Sequence, residues 1–143
     1  MATPFQLVID CSDPDSLAGF WAEAIGYVKQ PPPPGYDSWE ALLAEMGIPE
    51  DRWNSRSAIV PPDDDTGTRI FFQQVPEPKA TKNRLHLDIS VGAGSPPQER
   101  PAIVDAEVER LVGLGATKLE AHEEFGEYWV GMRDPEGNEF DVQ

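Results

Sequence analysis

Three features of the sequence predict an α+β fold made from two copies of one module. An opening strand recurs, first as "FQLVIDC" and again as "RLHLDISV"; a capped amphipathic helix follows each; short alternating strands follow each helix. These two βαβββ modules, residues 1–78 and 79–143, are read as one domain of 143 residues. With the helices packed on the apolar faces, the strands are expected to form one open, curved mixed sheet around a concave, polar cup.

In the first module, Phe5, Leu7 and Ile9 alternate with Gln6, Val8 and Asp10, the pattern of a strand with one covered face. Asp13 is a natural N-cap, Pro14 suits the first helical turn, and Asp15 favours the positive end of the helix dipole. Leu17, Phe20, Trp21 and Ala24 recur at helical spacing, which makes Trp21 a core residue, and Gly26 ends the run. "QPPPPGY" is a stiff extended spacer. "DSWEALLAEMGIP" reads as an inserted helix capped by Asp37 or Ser38, and the strands "RSAIV" and "TRIFFQQV" flank the turn-rich "PPDDDTG". Its three aspartates form a solvated tip, since a calcium loop needs more regularly spaced ligands.

After "PEPKATKN", Leu85, Leu87 and Ile89 alternate with His86, Asp88 and Ser90. A helix over about residues 102–114 follows, stopped by Gly115, and then the strands "TKLEAHEE", "EYWVGMR" and "EFDVQ". Asp134-Pro135-Glu136-Gly137 has the chemistry of a type I turn leading into the last strand. There Phe140 and Val142 point to the core, while Glu139 and Asp141 share the other face.

Composition narrows the function. A net charge of −15, from 11 basic and 26 acidic residues, repels nucleic acid and anionic membrane surfaces. It favours a neutral or cationic small molecule. No apolar run is long enough to span a membrane, and the N-terminal stretch lacks the basic flank and apolar core of a secretory signal. The single cysteine, Cys11, excludes an intrachain disulfide and any all-cysteine zinc site, so a cytoplasmic protein is expected.

The stretches "DPDSLAGFWAEAIGY", "FFQQVPEPKATKNRLHLDI" and "RDPEGNEFDVQ", in this order, resemble the vicinal oxygen chelate superfamily, which includes glyoxalase I, extradiol dioxygenases, and fosfomycin- and bleomycin-resistance proteins. The middle stretch is most similar to the bacterial glyoxalase-like subgroup. The resemblance implies that the first and last strands of each module lend side chains to a metal site. Carried over by position, it offers Gln6, His86 and Asp141 as ligands to one divalent metal (zinc, nickel, manganese or iron), with Gln73 on the remaining arm and Glu139 beside Asp141 as a catalytic base. One histidine is too few for the two-histidine, one-carboxylate iron site of a dioxygenase. An amide at Gln73 cannot take the proton that a glyoxalase base must take. The residues also fit a metal-free site, and the two readings stand level. His86 and Asp88 can form a hydrogen-bonded pair, Gln6 and Gln73 can hold a ligand's polar groups, and Trp39 and Trp129 can contact a flat ligand.

Two functions follow. One is a sequestration-type protein that holds a small molecule in an acidic cup, as bleomycin-resistance proteins do. The other is a metal-dependent lyase, isomerase or group-transfer enzyme. The resemblance also implies a homodimer.

Overall fold

The computed structural model describes residues 1–64 and 67–143. It divides into two compact units, Met1–Pro78 and Lys79–Gln143. The first contains β1 (Leu7–Cys11), α1 (Pro14–Ile25), β2 (Val28–Lys29), α2 (Trp39–Glu45), β3 (Arg56–Val60) and β4 (Ile70–Gln74). The second contains β5 (Asp88–Ile89), α3 (Arg100–Leu114), β6 (Thr117–Glu124), β7 (Glu127–Arg133) and β8 (Glu139–Val142). The α+β class holds, but the strands divide between two four-stranded mixed sheets, ordered β1-β4-β3-β2 and β5-β8-β7-β6, where the alternation predicts one. In each sheet the first and last strands of the unit run parallel, side by side.

In the first unit the Asp13 carboxylate accepts the Ser16 N–H at 3.2 Å, and Gly26 closes α1 at φ 71°. Asn54, on a short 3₁₀ segment, donates to the same carboxylate at 2.7 Å and accepts the Asp15 N–H at 2.9 Å. Its hydrogen bond, with that of Ser16, holds the Asp13 carboxyl below its ordinary value. Leu17, Ala18, Phe20, Trp21 and Ala24 are buried, and α1 packs on β3 and β4, whose Ile59, Ile70 and Phe72 point the same way. Burying each large side chain stabilises the fold by roughly 1.5–3 kcal/mol. The inserted α2 differs. Ser38 caps it, its Oγ accepting the Ala41 N–H at 3.1 Å, yet no residue of α2 is buried.

In the second unit α3 starts at Arg100, a little before the expected position, because Pro101 fits its first turn. Val104, Val108 and Leu111 pack against the face carrying Val130, Met132, Phe140 and Val142. The turn before β8 forms as predicted: Gly137 N–H donates to the Asp134 carbonyl at 2.9 Å, with Gly137 at φ 87°. The buried Asp134 carboxylate secures it by accepting the N–H groups of Glu136 and Asn138 and the Asn138 amide.

The opening strand of the second unit needs correction. β5 spans only Asp88–Ile89, and Leu85, expected on the core face, is 83% exposed. The reason lies in β8: its Glu139 side chain takes the Asn83 N–H, so the incoming chain bends there and joins the ladder late. The two-residue β2 has too little sequence to show a period, and only its pairing with β3 defines it. Of the three aspartates between β3 and β4, Asp65 lies outside the described residues, and Asp63 is exposed in a 3₁₀ turn.

Candidate functional site

The polar face of the second sheet follows from its register. Asp88 pairs with Asp141, and Gly131 pairs with Asp141 from the other side, so all three share the face opposite α3. His86 stands two residues before Asp88. Its Nε2 lies 3.3 Å from Asp88 Oδ1 and 3.5 Å from Asp141 Oδ2. One donor atom from each of His86, Asp88 and Asp141 falls within 4.8 Å of the others. Burial, with the Asp88 carboxylate beside it, pushes the Asp141 carboxyl above its ordinary value, against the pull of His86, Lys82 and His122. Gly131 places no side chain over Asp141; a Cβ there would already stand 3.6 Å from Oδ1.

This donor set fits a divalent cation. Ligand atoms about 2.1 Å from a common ion lie about 3.0–3.4 Å apart, close to the two His–Asp distances. An imidazole with two carboxylates suits zinc, nickel, manganese or iron and leaves coordination positions open. A cation between Asp88 and Asp141 would also offset the repulsion of two adjacent carboxylates.

Two other predicted residues, Glu139 and Trp129, share this sheet face. Glu139 shares the face of Asp141, but Lys79 Nζ lies 3.0 Å from its carboxylate and the Asn83 N–H donates to it at 2.9 Å. Burial alone would raise its pKa; the Asn83 N–H and the Lys79 ammonium outweigh that and lower it to about 2. A carboxylate so firmly ionised is a weak proton acceptor, which argues against the base role expected of it. Lys79 thus anchors the start of β8. Trp129 stacks on His122, ring centres 5.2 Å apart, on the same sheet face as Asp141.

In the first unit, Gln6 Oε1 accepts from Arg69 Nη1 at 2.6 Å. Gln73 lies between Asp10 and Arg56 in the ladder, exposed. Trp39 lines a cavity of 560 Å³ formed by α2, the 3₁₀ segment Glu50–Ser55, β3 and β4. Arg52, Arg56 and Arg69 line it too, and no site reading from sequence included them. The available signal was local: two of these arginines bracket a tryptophan in "DRWNSR".

No protein of curated function matches the chain in sequence. Solved structures share its fold at low identity. A glyoxalase/bleomycin resistance/dioxygenase family enzyme from Burkholderia phytofirmans is 16% identical, with a TM-score of 0.61 over 96% of this chain and 94% of that one. The fosfomycin resistance protein FosX from Listeria monocytogenes, solved as a point mutant with Mn(II) and 1S,2S-dihydroxypropylphosphonic acid, is 12% identical, with a TM-score of 0.62 over 100% and 90%. A Bacillus cereus protein described as a possible glyoxalase is 15% identical, with a TM-score of 0.61 over 100% and 99%. The family model described as glyoxalase-like domain matches residues 6–143. The chain belongs to the glyoxalase-like domain family, and it shares the fold of glyoxalase/bleomycin resistance/dioxygenase proteins.

Proposed function

We propose that the protein is a divalent-metal-dependent enzyme acting on a small organic molecule, with His86, Asp141 and Asp88 as the metal-holding residues of its second unit. The observation that carries this reading is the convergence of one imidazole and two carboxylates on one sheet face. The manganese in the FosX neighbour supports it by analogy of fold. A bound ion would act as a Lewis acid on a ligand oxygen. The chain's own part is to orient the imidazole between two carboxylates and, through Gly131, to keep the space over Asp141 clear. Of the lyase, isomerase and group-transfer classes, group transfer fits best. Isomerisation needs a free proton acceptor, and Glu139 is engaged by Lys79 and Asn83.

The test is calorimetry and elemental analysis of purified protein with Mn(II), Ni(II) and Zn(II). One ion per chain is expected, with binding much weakened in Asp141→Asn, which removes an anionic ligand while keeping the shape. A parent protein that takes up none of the three ions would overturn this reading in favour of a metal-free binder. That second reading has its own support in the locked Glu139. A homodimer remains part of the proposal, supported by the exposed Phe5 and Leu85; sedimentation at 15.8 kDa would remove it. Among the described residues no helix is long and apolar enough to cross a membrane.

A further inference from the structure

The charge of the whole chain points to neutral or cationic ligands, but the cavity of the first unit is built the other way. The chain has 26 acidic and 11 basic residues. Around this cavity stand three arginines, Arg52, Arg56 and Arg69, and no Asp or Glu among the described residues. None of the three forms an ion pair among the described residues. Arg69 donates to two neutral amide oxygens, Gln30 Oε1 at 2.7 Å and Gln6 Oε1 at 2.6 Å, and lies over the Phe71 ring at 5.2 Å from its centre. Among the described residues Arg52 Nε reaches only the Ser55 hydroxyl, at 3.3 Å. The amides and the ring hold the Arg69 guanidinium in place while leaving its full charge uncompensated.

The remaining wall is apolar. Phe71 and Ala58 are neighbours in the β3–β4 ladder, on the sheet face away from α1. The cavity is also lined by Trp39 and Leu42 from α2, the helix with no buried residue, and by Met46 at its C-cap. The indole N–H groups of Trp39 and Trp53 are both spent on backbone carbonyls, of Gln30 at 2.7 Å and Ile48 at 2.8 Å. These bonds fix the rings and leave their apolar surfaces to the cavity. The 560 Å³ volume lies inside the range of small-molecule sites, roughly 300–1,000 Å³.

We infer that this pocket binds a small organic oxyanion with a flat apolar body. The head group sits on Arg69, Arg52 and Arg56 add to the positive field of the cavity, and the body lies between Phe71 and the Trp39–Leu42 side of α2. Guanidinium pairs planar oxyanions with two parallel hydrogen bonds, and a site without competing carboxylates keeps that charge available. The inference uses first-unit residues alone and does not depend on the metal reading.

Calorimetry with a matched series tests it, with chelator present throughout so that no metal contributes. The probes are 1-naphthaleneacetate, its neutral amide, and the cationic 2-(1-naphthyl)ethylamine, which share one flat body. The acid is expected to bind one per chain, about tenfold or more tighter than the amine, the scale of one charge-assisted hydrogen bond. Arg69→Met should lower the acid's affinity about tenfold and leave the amide's unchanged. Arg69 also ties Gln6 to Gln30, so Arg56→Met, at an exposed position, provides a second charge-removing variant whose folding is not at risk. An amine that binds as well as the acid would overturn the inference, as would an acid affinity unchanged in both variants. So would a pocket that takes no probe, including the case where sedimentation shows a dimer that Leu42→Glu breaks, which would assign the face to a second copy.

Discussion

The two units have the same sheet order and the same parallel pairing of first and last strands, yet their open faces carry opposite chemistry. In the second sheet the central parallel pair sets Asp88 beside Asp141, with His86 above them. In the first, the corresponding ladder positions are Val8 beside Phe71 and Asp10 beside Gln73, and arginines replace the imidazole as the nearby charged groups. The first unit also has an inserted helix that the second lacks. Topology therefore fixes which positions face outward, and single residues at those positions decide whether the face attracts cations or anions.

The largest expected effects test whether the two cores are as equivalent as the topology. Phe72 of β4 and Phe140 of β8 are both fully buried, each beneath its own unit's helix. Phe72→Ala and Phe140→Ala should each cost about 3–5 kcal/mol in chemical denaturation. A difference above about 2 kcal/mol between them would show that one core relaxes around the cavity, and the equivalence would fail.

The metal reading distinguishes two histidines of the second sheet. His86→Ala should weaken Ni(II) or Zn(II) binding by about a hundredfold or more, since loss of a ligand exceeds the loss expected for an outer partner. His122→Ala should leave it nearly unchanged, because His122 stacks on Trp129 outside the three-residue cluster. Equal losses in both variants would mean that the ion sits toward β6.

Most of the fold could be read from the sequence because caps and turns are local. Asp13, Gly26, Ser38, Gly115 and the Asp134–Gly137 turn all act within a few residues of themselves, and all stand where expected. The closeness of His86 to Asp141 was implied by the family resemblance; period-two alternation gave only the polar face of each strand, and the parallel β5–β8 pairing makes them neighbours. What escaped depends on distant partners. Nothing near Glu139 in sequence announces Lys79 or Asn83, which make it an anchor. The arginine-lined cavity escaped for a different reason. Net charge is a sum over the chain, and a −15 total says nothing about three cations gathered by folding from a 3₁₀ segment, a strand and a loop.

Glu139 gives a pH test of its anchoring role. Its pKa is lowered from 4.5 to about 2, so the unfolded chain holds its proton more tightly than the folded one. The resulting stability is fully present above the unfolded value and is lost as pH falls from about 4.5 toward 2. Its side chain is 14% exposed, so solvent screens the interaction only in part. Glu139→Gln should cost about 2 kcal/mol at neutral pH and remove that part of the acid limb. An acid limb identical to the parent's would mean that Lys79 and Asn83 contribute no net anchoring.

The smallest effect separates two capped helices that differ in what covers them. Asp13 and Ser38 each accept a backbone N–H in the first turn of their helices, and either cap replaced by alanine should cost about 1 kcal/mol of helix stability. The consequences should diverge. α1 packs on its unit's core, so its cap loss should appear in the global unfolding transition, enlarged by loss of the Asn54 hydrogen bond. α2 has no buried residue, so Ser38→Ala should leave the melting temperature almost unchanged and instead speed amide exchange within α2 about fivefold. Naphthaleneacetate in the adjoining cavity should reverse much of that acceleration, because a ligand packed on Leu42 and Trp39 supplies the apolar cover the helix lacks. If Ser38→Ala lowers the melting temperature as much as Asp13→Ala does, α2 belongs to the cooperative core of its unit, and its apolar face does not wait for a ligand.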